Sequence, residues 1–139
     1  MVRKNPISKM AYSATEALSP KYLKYYKGRI ITKIGYCKFY MDTDPEIGLL
    51  YFWYKNNISL NCTNANHSGF KLSLDLGECR FGVDCGEPDG DKFYMERQLL
   101  LDDKITTSDL QPVILDFSRR LNHTIDMAYA NGLPVVCHI

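Results

Sequence analysis

The chain has 139 residues, 45% of them hydrophobic and 24% charged. Those proportions suit one folded domain with its own core and exclude wholesale disorder and collagen-like repeats. The formal charge of +1 hides a split, because residues 1–40 hold nine basic side chains and a single acid, Glu16. Such asymmetry fits either a polyanion-binding face or two halves that neutralise each other within one fold.

Residues 1–11 are basic and polar and read as a flexible arm, with a single domain over 12–139. A helix is expected over 13–27. Ser13 and Glu16 have capping-box spacing, Pro20 supplies a second start, and Gly28 sits where a left-handed helix cap belongs. Residues 29–41, rich in Ile, Tyr and Phe, read as one strand. Asp42 to Gly48 is a turn cluster, and residues 49–55 form the most apolar strand, expected at the sheet centre. Asn56 and Asn57 suit a tight hairpin that returns through a strand at 58–63. Residues 64–78 are open between loop, short strand and distorted helix. Residues 81–85 and 91–101 flank Pro88, Asp89 and Gly90, a turn signal, and should pair as a hairpin.

The last helix is the clearest element. Thr106, Thr107, Ser108 and Asp109 offer caps, Pro112 falls in the first turn, and Asn131 and Gly132 give the stop. Leu110, Ile114, Phe117, Leu121, Ile125 and Ala128 make one apolar stripe. An apolar tail, 135–139, is left to add a strand or cover a groove. The fold class is therefore α+β. An antiparallel sheet of about five strands carries an N-terminal helix and the long C-terminal amphipathic helix on one face.

The chemistry-bearing residues are sparse. Cys37, Cys62, Cys79, Cys85 and Cys137 are odd in number and widely spaced, as for reduced thiols. Neither they nor His67, His123 and His138 have the short paired spacing of a metal site, and the acids around Gly90 lack a calcium-loop register. No nucleophile elbow or phosphate loop is present, so no catalytic residue, metal or cofactor is assigned and the chain is expected not to be an enzyme. Asn57, Asn61, Asn66 and Asn122 begin glycosylation sequons, but no apolar segment of the signal-peptide kind comes after the first residues. No run reaches the ~20 apolar residues that cross a bilayer. The expected location is the cytoplasm, with no membrane contact.

Two binding readings arise from these residues. The 49–55 strand puts aromatic residues on both its faces, more than two helices can shelter. Tyr51 and Trp53, with Phe117 and Leu121 of the long helix, are thus candidates for a protein partner or a second copy. Separately, Lys21, Lys24, Lys27, Arg29, Lys33 and Lys38 interleave with Tyr22, Tyr25, Tyr26, Tyr36 and Tyr40. Cations that track phosphates beside rings that stack on bases would bind an anion or nucleic acid. The competing reading buries the rings in the helix–sheet core and leaves the lysines in water.

The block from Cys79 to Asp103, with Tyr94, Glu96, Arg97, Leu99, Leu100 and Leu101 before a Thr/Ser-capped helix, resembles the YbjN-like family. The fold of that family is similar to type III secretion chaperones. The pattern covers roughly residues 79–121 and the remainder by element order. The family usually has a helix where 64–78 stands here, and it is acidic throughout. The resemblance implies a cytosolic α+β dimer that binds protein and brings no catalytic residues. The expected function is a non-enzymatic protein-binding module, chaperone-like or regulatory and homodimeric. The alternative is a small nucleic-acid- or anion-binding regulator or inhibitor, of a kind phages encode, using residues 21–40.

Overall fold

The computed structural model describes residues 6–57, 79–84 and 92–130. The element order is α1 (Pro6–Ala17), β1 (Tyr22–Tyr26), β2 (Arg29–Ile34), β3 (Cys37–Asp44), β4 (Leu49–Asn57), β5 (Arg80–Asp84), β6 (Lys92–Leu100) and α2 (Thr107–Ala130). The strands form one antiparallel sheet in the order β1-β2-β3-β4-β6-β5. The class is α+β, as expected, with six strands among the described residues where about five were expected.

The N-terminal third departs most from expectation. The helix runs from Pro6 to Ala17, not over 13–27, so residues 6–11 of the expected arm are helical. Ile7, Ala11 and Ala14 recur at helical spacing and are buried. Pro6 stands at the first helical position, where its missing N–H costs nothing. The last turn tightens through Leu18 N to Thr15 O and Ser19 N to Glu16 O, both 3.0 Å. Ser19 then takes a left-handed φ of 52°, and Pro20 forbids continuation.

Beyond Pro20 the chain is extended, as β1, where the helix was expected to run on. Lys27 (φ 49°) and Gly28 (φ 80°) are both left-handed, the requirement of a two-residue type I′ hairpin, and Tyr26 faces Arg29 across it. Gly28 thus has the expected positive φ but closes a hairpin instead of a helix. The expected 29–41 strand is likewise two strands. Gly35 (φ 84°) opens a second tight turn between Ile34 and Cys37. A Cβ on Gly35 would stand 2.7 Å from Asn122 Nδ2, so space as well as φ demands glycine.

Asn56 and Asn57 make no hairpin. They continue β4, opposite Phe93 and Lys92 of β6. The strand expected at 58–63, the ambiguous 64–78, the 86–90 turn, the 131–132 stop and the 135–139 tail lie outside the described residues. The hairpin strands themselves pair as expected, Arg80 with Glu96 through Asp84 with Lys92.

Helix α2 begins with a reciprocal cap. The Thr106 amide donates to Asp109 Oδ2 at 2.9 Å, and the Asp109 amide donates to Thr106 Oγ1 at 3.3 Å. Hydrogen bonds from the Thr106 amide first, and from its side chain second, hold the Asp109 carboxyl below its usual range. Pro112 lies inside the helix, in its second turn rather than its first. The stripe Leu110, Ile114, Phe117, Leu121 and Ile125 is buried against the sheet, and the helix-facing residues Phe39, Met41, Leu50, Phe52, Phe93 and Met95 complete the core. Phe117 packs between Phe39 (5.1 Å) and Phe52 (5.4 Å). Burying such a ring stabilises the fold by about 1.5–3 kcal/mol.

Polar contacts fix the helix on the sheet. Ser118 Oγ and Asn122 Nδ2 both donate to the Ile34 carbonyl, and Asn122 Oδ1 accepts from the Tyr36 amide. Asn122 heads one of the sequons, and its carboxamide is spent on this helix-to-turn junction. Helix α1 packs beside α2 and over β1–β3. Both helices share a single core cluster on one side of the sheet. Among the described residues, no element lies over the other side.

Candidate functional site

Strand alternation and register define that open side. Three rows of opposed residues cross it. One runs Tyr22, Lys33, Lys38. The next runs Lys24, Ile31, Tyr40, Trp53, Glu96, Arg80. The third runs Tyr26, Arg29, Asp42, Tyr51, Gln98. The intervening positions, Leu23, Thr32, Phe39, Tyr54 and Met95 among them, turn toward the helices. The sequence reading that placed the rings of the 21–40 run in the core is therefore corrected. Tyr22, Tyr26 and Tyr40 project from the open side, because their strand register opposes them to Lys33, Arg29 and Trp53.

The expected cation set divides. Lys24, Arg29, Lys33 and Lys38 share the open face, Lys27 occupies the adjoining turn, and Lys21 stands just before β1, its amide donating to the Lys33 carbonyl. Two tyrosines of the run leave it. Tyr25, 47% exposed, faces the helix side, where it lines a groove of about 470 Å³ with Ser8, Lys9, Tyr12 and Ser13 of α1. Tyr36 turns its hydroxyl to the Asn122 carbonyl and the Asp126 carboxylate.

The lysines at the β1 corner rest on rings. Lys38 Nζ stands 4.7 Å from the Tyr22 ring centre, and Lys24 and Lys27 each stand 5.3 Å from that of Tyr26. An exposed contact of this kind contributes only about 0.5–1 kcal/mol, so each ammonium is held loosely. Lys24, Lys27, Lys33 and Lys38 make no ion pair among the described residues.

Arg29 is different. Its Nε and Nη2 reach the two oxygens of Asp42 at 2.8 and 3.2 Å, and that bond raises its already high pKa further. The guanidinium lies 4.9 Å from the Trp53 ring and 5.8 Å from that of Tyr40. Tyr40 and Trp53 are stacked at 4.3 Å, and the Trp53 indole N–H donates to Asp42 at 2.9 Å. Arg29 is thus committed to its neighbours, and so is half of the expected apolar docking patch.

Beyond Trp53 the face dips into a cleft of about 270 Å³ lined by Tyr51, Trp53, Lys55, Tyr94 and Glu96. The Tyr51 hydroxyl donates to Glu96, which also takes Arg80. Burial first, and that bond second, push the Tyr51 pKa up to about 12. Tyr94 lies over Gly82 of β5, where a Cβ would meet its ring.

Of the four expected partner-binding residues, Tyr51 and Trp53 are half-buried on the open face. Phe117 and Leu121 are fully enclosed between α2 and the sheet. Their stripe already has its docking surface, the sheet of the same chain. Three rings outside the 21–40 run, Tyr51, Trp53 and Tyr94, extend the basic-aromatic face across β4 and β6. No linear pattern joins them to residues 21–40; only strand pairing does. Among the described residues no cluster of His, Cys, Asp or Glu could hold a metal, and Cys37 and Cys79 are buried and in no disulfide. No helix among the described residues is long and apolar enough to cross a membrane.

No protein-family model and no curated protein sequence matches the chain. A solved structure does. The crystal structure of YbjN from E. coli, described as a candidate transcription regulator, superposes with a TM-score of 0.73 over 98% of this chain and 99% of its own. Identity is 11%, so the likeness is one of fold, and the fold is YbjN-like.

Proposed function

We propose that this protein is a non-enzymatic binding protein of regulatory type, and that the open face of its sheet docks nucleic acid. The observation that carries this reading is the corner formed by β1, β2 and β3. There Lys24, Lys33 and Lys38, with Lys27 in the adjoining turn, gather around exposed tyrosines, and Asp42 on the same face is neutralised by Arg29. Unpaired surface lysines on one face attract a polyanion, because each phosphate they neutralise releases condensed counterions.

The homodimer reading has less support at this face. A second copy offers it the same lysines, and its Asp42 and Glu96 are already engaged by Arg29 and Arg80. Trp53 is sheltered by Tyr40 and Arg29 of its own chain and has its N–H satisfied. The transcription-regulator role suggested for YbjN belongs to the same class.

The test is fluorescence anisotropy with labelled oligonucleotides, single-stranded and duplex, over a salt series. Neutralising about three phosphates predicts a slope of log K on log salt near −2 for a single strand. Replacing Lys24, Lys33 and Lys38 together by Glu should lower affinity more than tenfold and leave the far-UV spectrum intact. A folded triple variant that binds as well as the parent chain rejects the reading.

A further inference from the structure

We infer that the nucleic acid this face takes is single-stranded, its bases stacked on Tyr22 and Tyr26 beside the rigid Tyr40–Trp53 pair; this rests on the docking role proposed above. Lysines alone would serve any polyanion. The rings are what a duplex cannot use, since its bases already stack on one another, whereas a single strand can turn its bases outward onto aromatic side chains.

The placement suits that exchange. Tyr22 and Tyr26 are 36% and 53% exposed, on the same side of the edge strand β1. Four residues of strand separate them by roughly 13 Å, and three strand spacings set Trp53 roughly 14 Å from β1. Two or three stacked bases fit such a patch, as on other sheet platforms. The ring faces are covered by ammonium groups, Lys38 over Tyr22, Lys24 and Lys27 over Tyr26. An arriving nucleotide displaces each loosely held ammonium from the ring to its own phosphate, and the base takes the vacated face. Arg29, bound at both ends to Asp42, stays in place and keeps the Tyr40–Trp53 stack rigid.

The experiment compares an oligodeoxythymidine, a duplex of equal length and inorganic polyphosphate. Tyr22→Ala/Tyr26→Ala is set against Tyr22→Phe/Tyr26→Phe, with circular dichroism confirming the fold. Trp53 is the chain's single tryptophan, so its emission reports on this face alone. The single strand should bind at least tenfold tighter than the duplex and change Trp53 emission. The double alanine variant should lose about ten- to a hundredfold of that affinity, keep its polyphosphate affinity, and be rescued by phenylalanine.

Equal binding of single strand, duplex and polyphosphate, with no response to ring removal, overturns the inference while the docking role stands. Loss of binding in every arm, in the folded parent chain, overturns both. A free dimer that dissociates in the double alanine variant assigns the rings to a second copy and also overturns it.

Discussion

Strand β4 belongs to two surfaces that obey different rules. Leu50, Phe52 and Tyr54 point to the helices and are buried, while Tyr51, Trp53 and Lys55 point the other way. On the helix side the rings contact rings, and shape decides the energy. On the open side Trp53 has Arg29 and Asp42 as companions, Tyr51 has Glu96, and Tyr22 and Tyr26 have lysines. Aromatic content alone therefore does not mark a core. The companions do, because water can reach a cation that rests on a ring and cannot reach one inside a packed layer.

The contrast predicts its largest effect at Phe117. Phe117→Ala should cost about 3–5 kcal/mol, since it leaves a cavity between Phe39 and Phe52 that little can fill. Trp53→Ala on the opposite side should cost nearer ~1 kcal/mol, a typical loss for a half-exposed position. Urea unfolding of both variants measures the difference, and equal losses would erase the distinction between the two surfaces.

A smaller effect separates the organised part of the open face from its loosely held lysines. A double-mutant cycle of Arg29→Ala and Asp42→Ala should give a coupling of about 0.2–1 kcal/mol, the range for an exposed ion pair. Trp53 emission should shift in both single variants because both touch its ring or its N–H. An unchanged spectrum would mean that the pair does not hold the Tyr40–Trp53 stack.

The last effect is alkaline. The Tyr51 pKa is raised from 10.0 to about 12 by burial and by Glu96. A raised folded pKa means that the stabilisation is fully present below pH 10, where both states hold the proton. It is lost as the pH climbs from there through about 12, where the unfolded chain ionises first. The urea midpoint of the parent chain should fall more steeply over that window than that of Tyr51→Phe. Superimposable curves would show that Tyr51 ionises as freely in the folded chain as in the unfolded one.

Much of the architecture was legible in residue order. The α2 stripe from Leu110 to Ile125, its Thr106 cap and the pairing of β5 with β6 all come from local rules of periodicity and capping, which act over a few residues. The same rules misplaced the first helix. The Ser13–Glu16 spacing imitates a start, but Ile7, Ala11 and Ala14 bury better against α2 and the sheet. The six candidate cations were also visible as a list, Lys21 to Lys38. The list could not separate Arg29, paired with Asp42, from Lys24, Lys33 and Lys38.

By itself the sequence determined that this chain forms an α+β domain with a long amphipathic C-terminal helix, and that its net positive excess lies in the first 40 residues. Only the tertiary structure decided which side of the sheet those charges occupy and that Trp53 and Tyr94 join them, while Phe117 and Leu121 do not. The physical reason is strand parity. Moving a hairpin turn by one residue sends every later side chain of the strand to the opposite face, and the turns at Gly28 and Gly35 are set by backbone φ and by Asn122 on a distant helix.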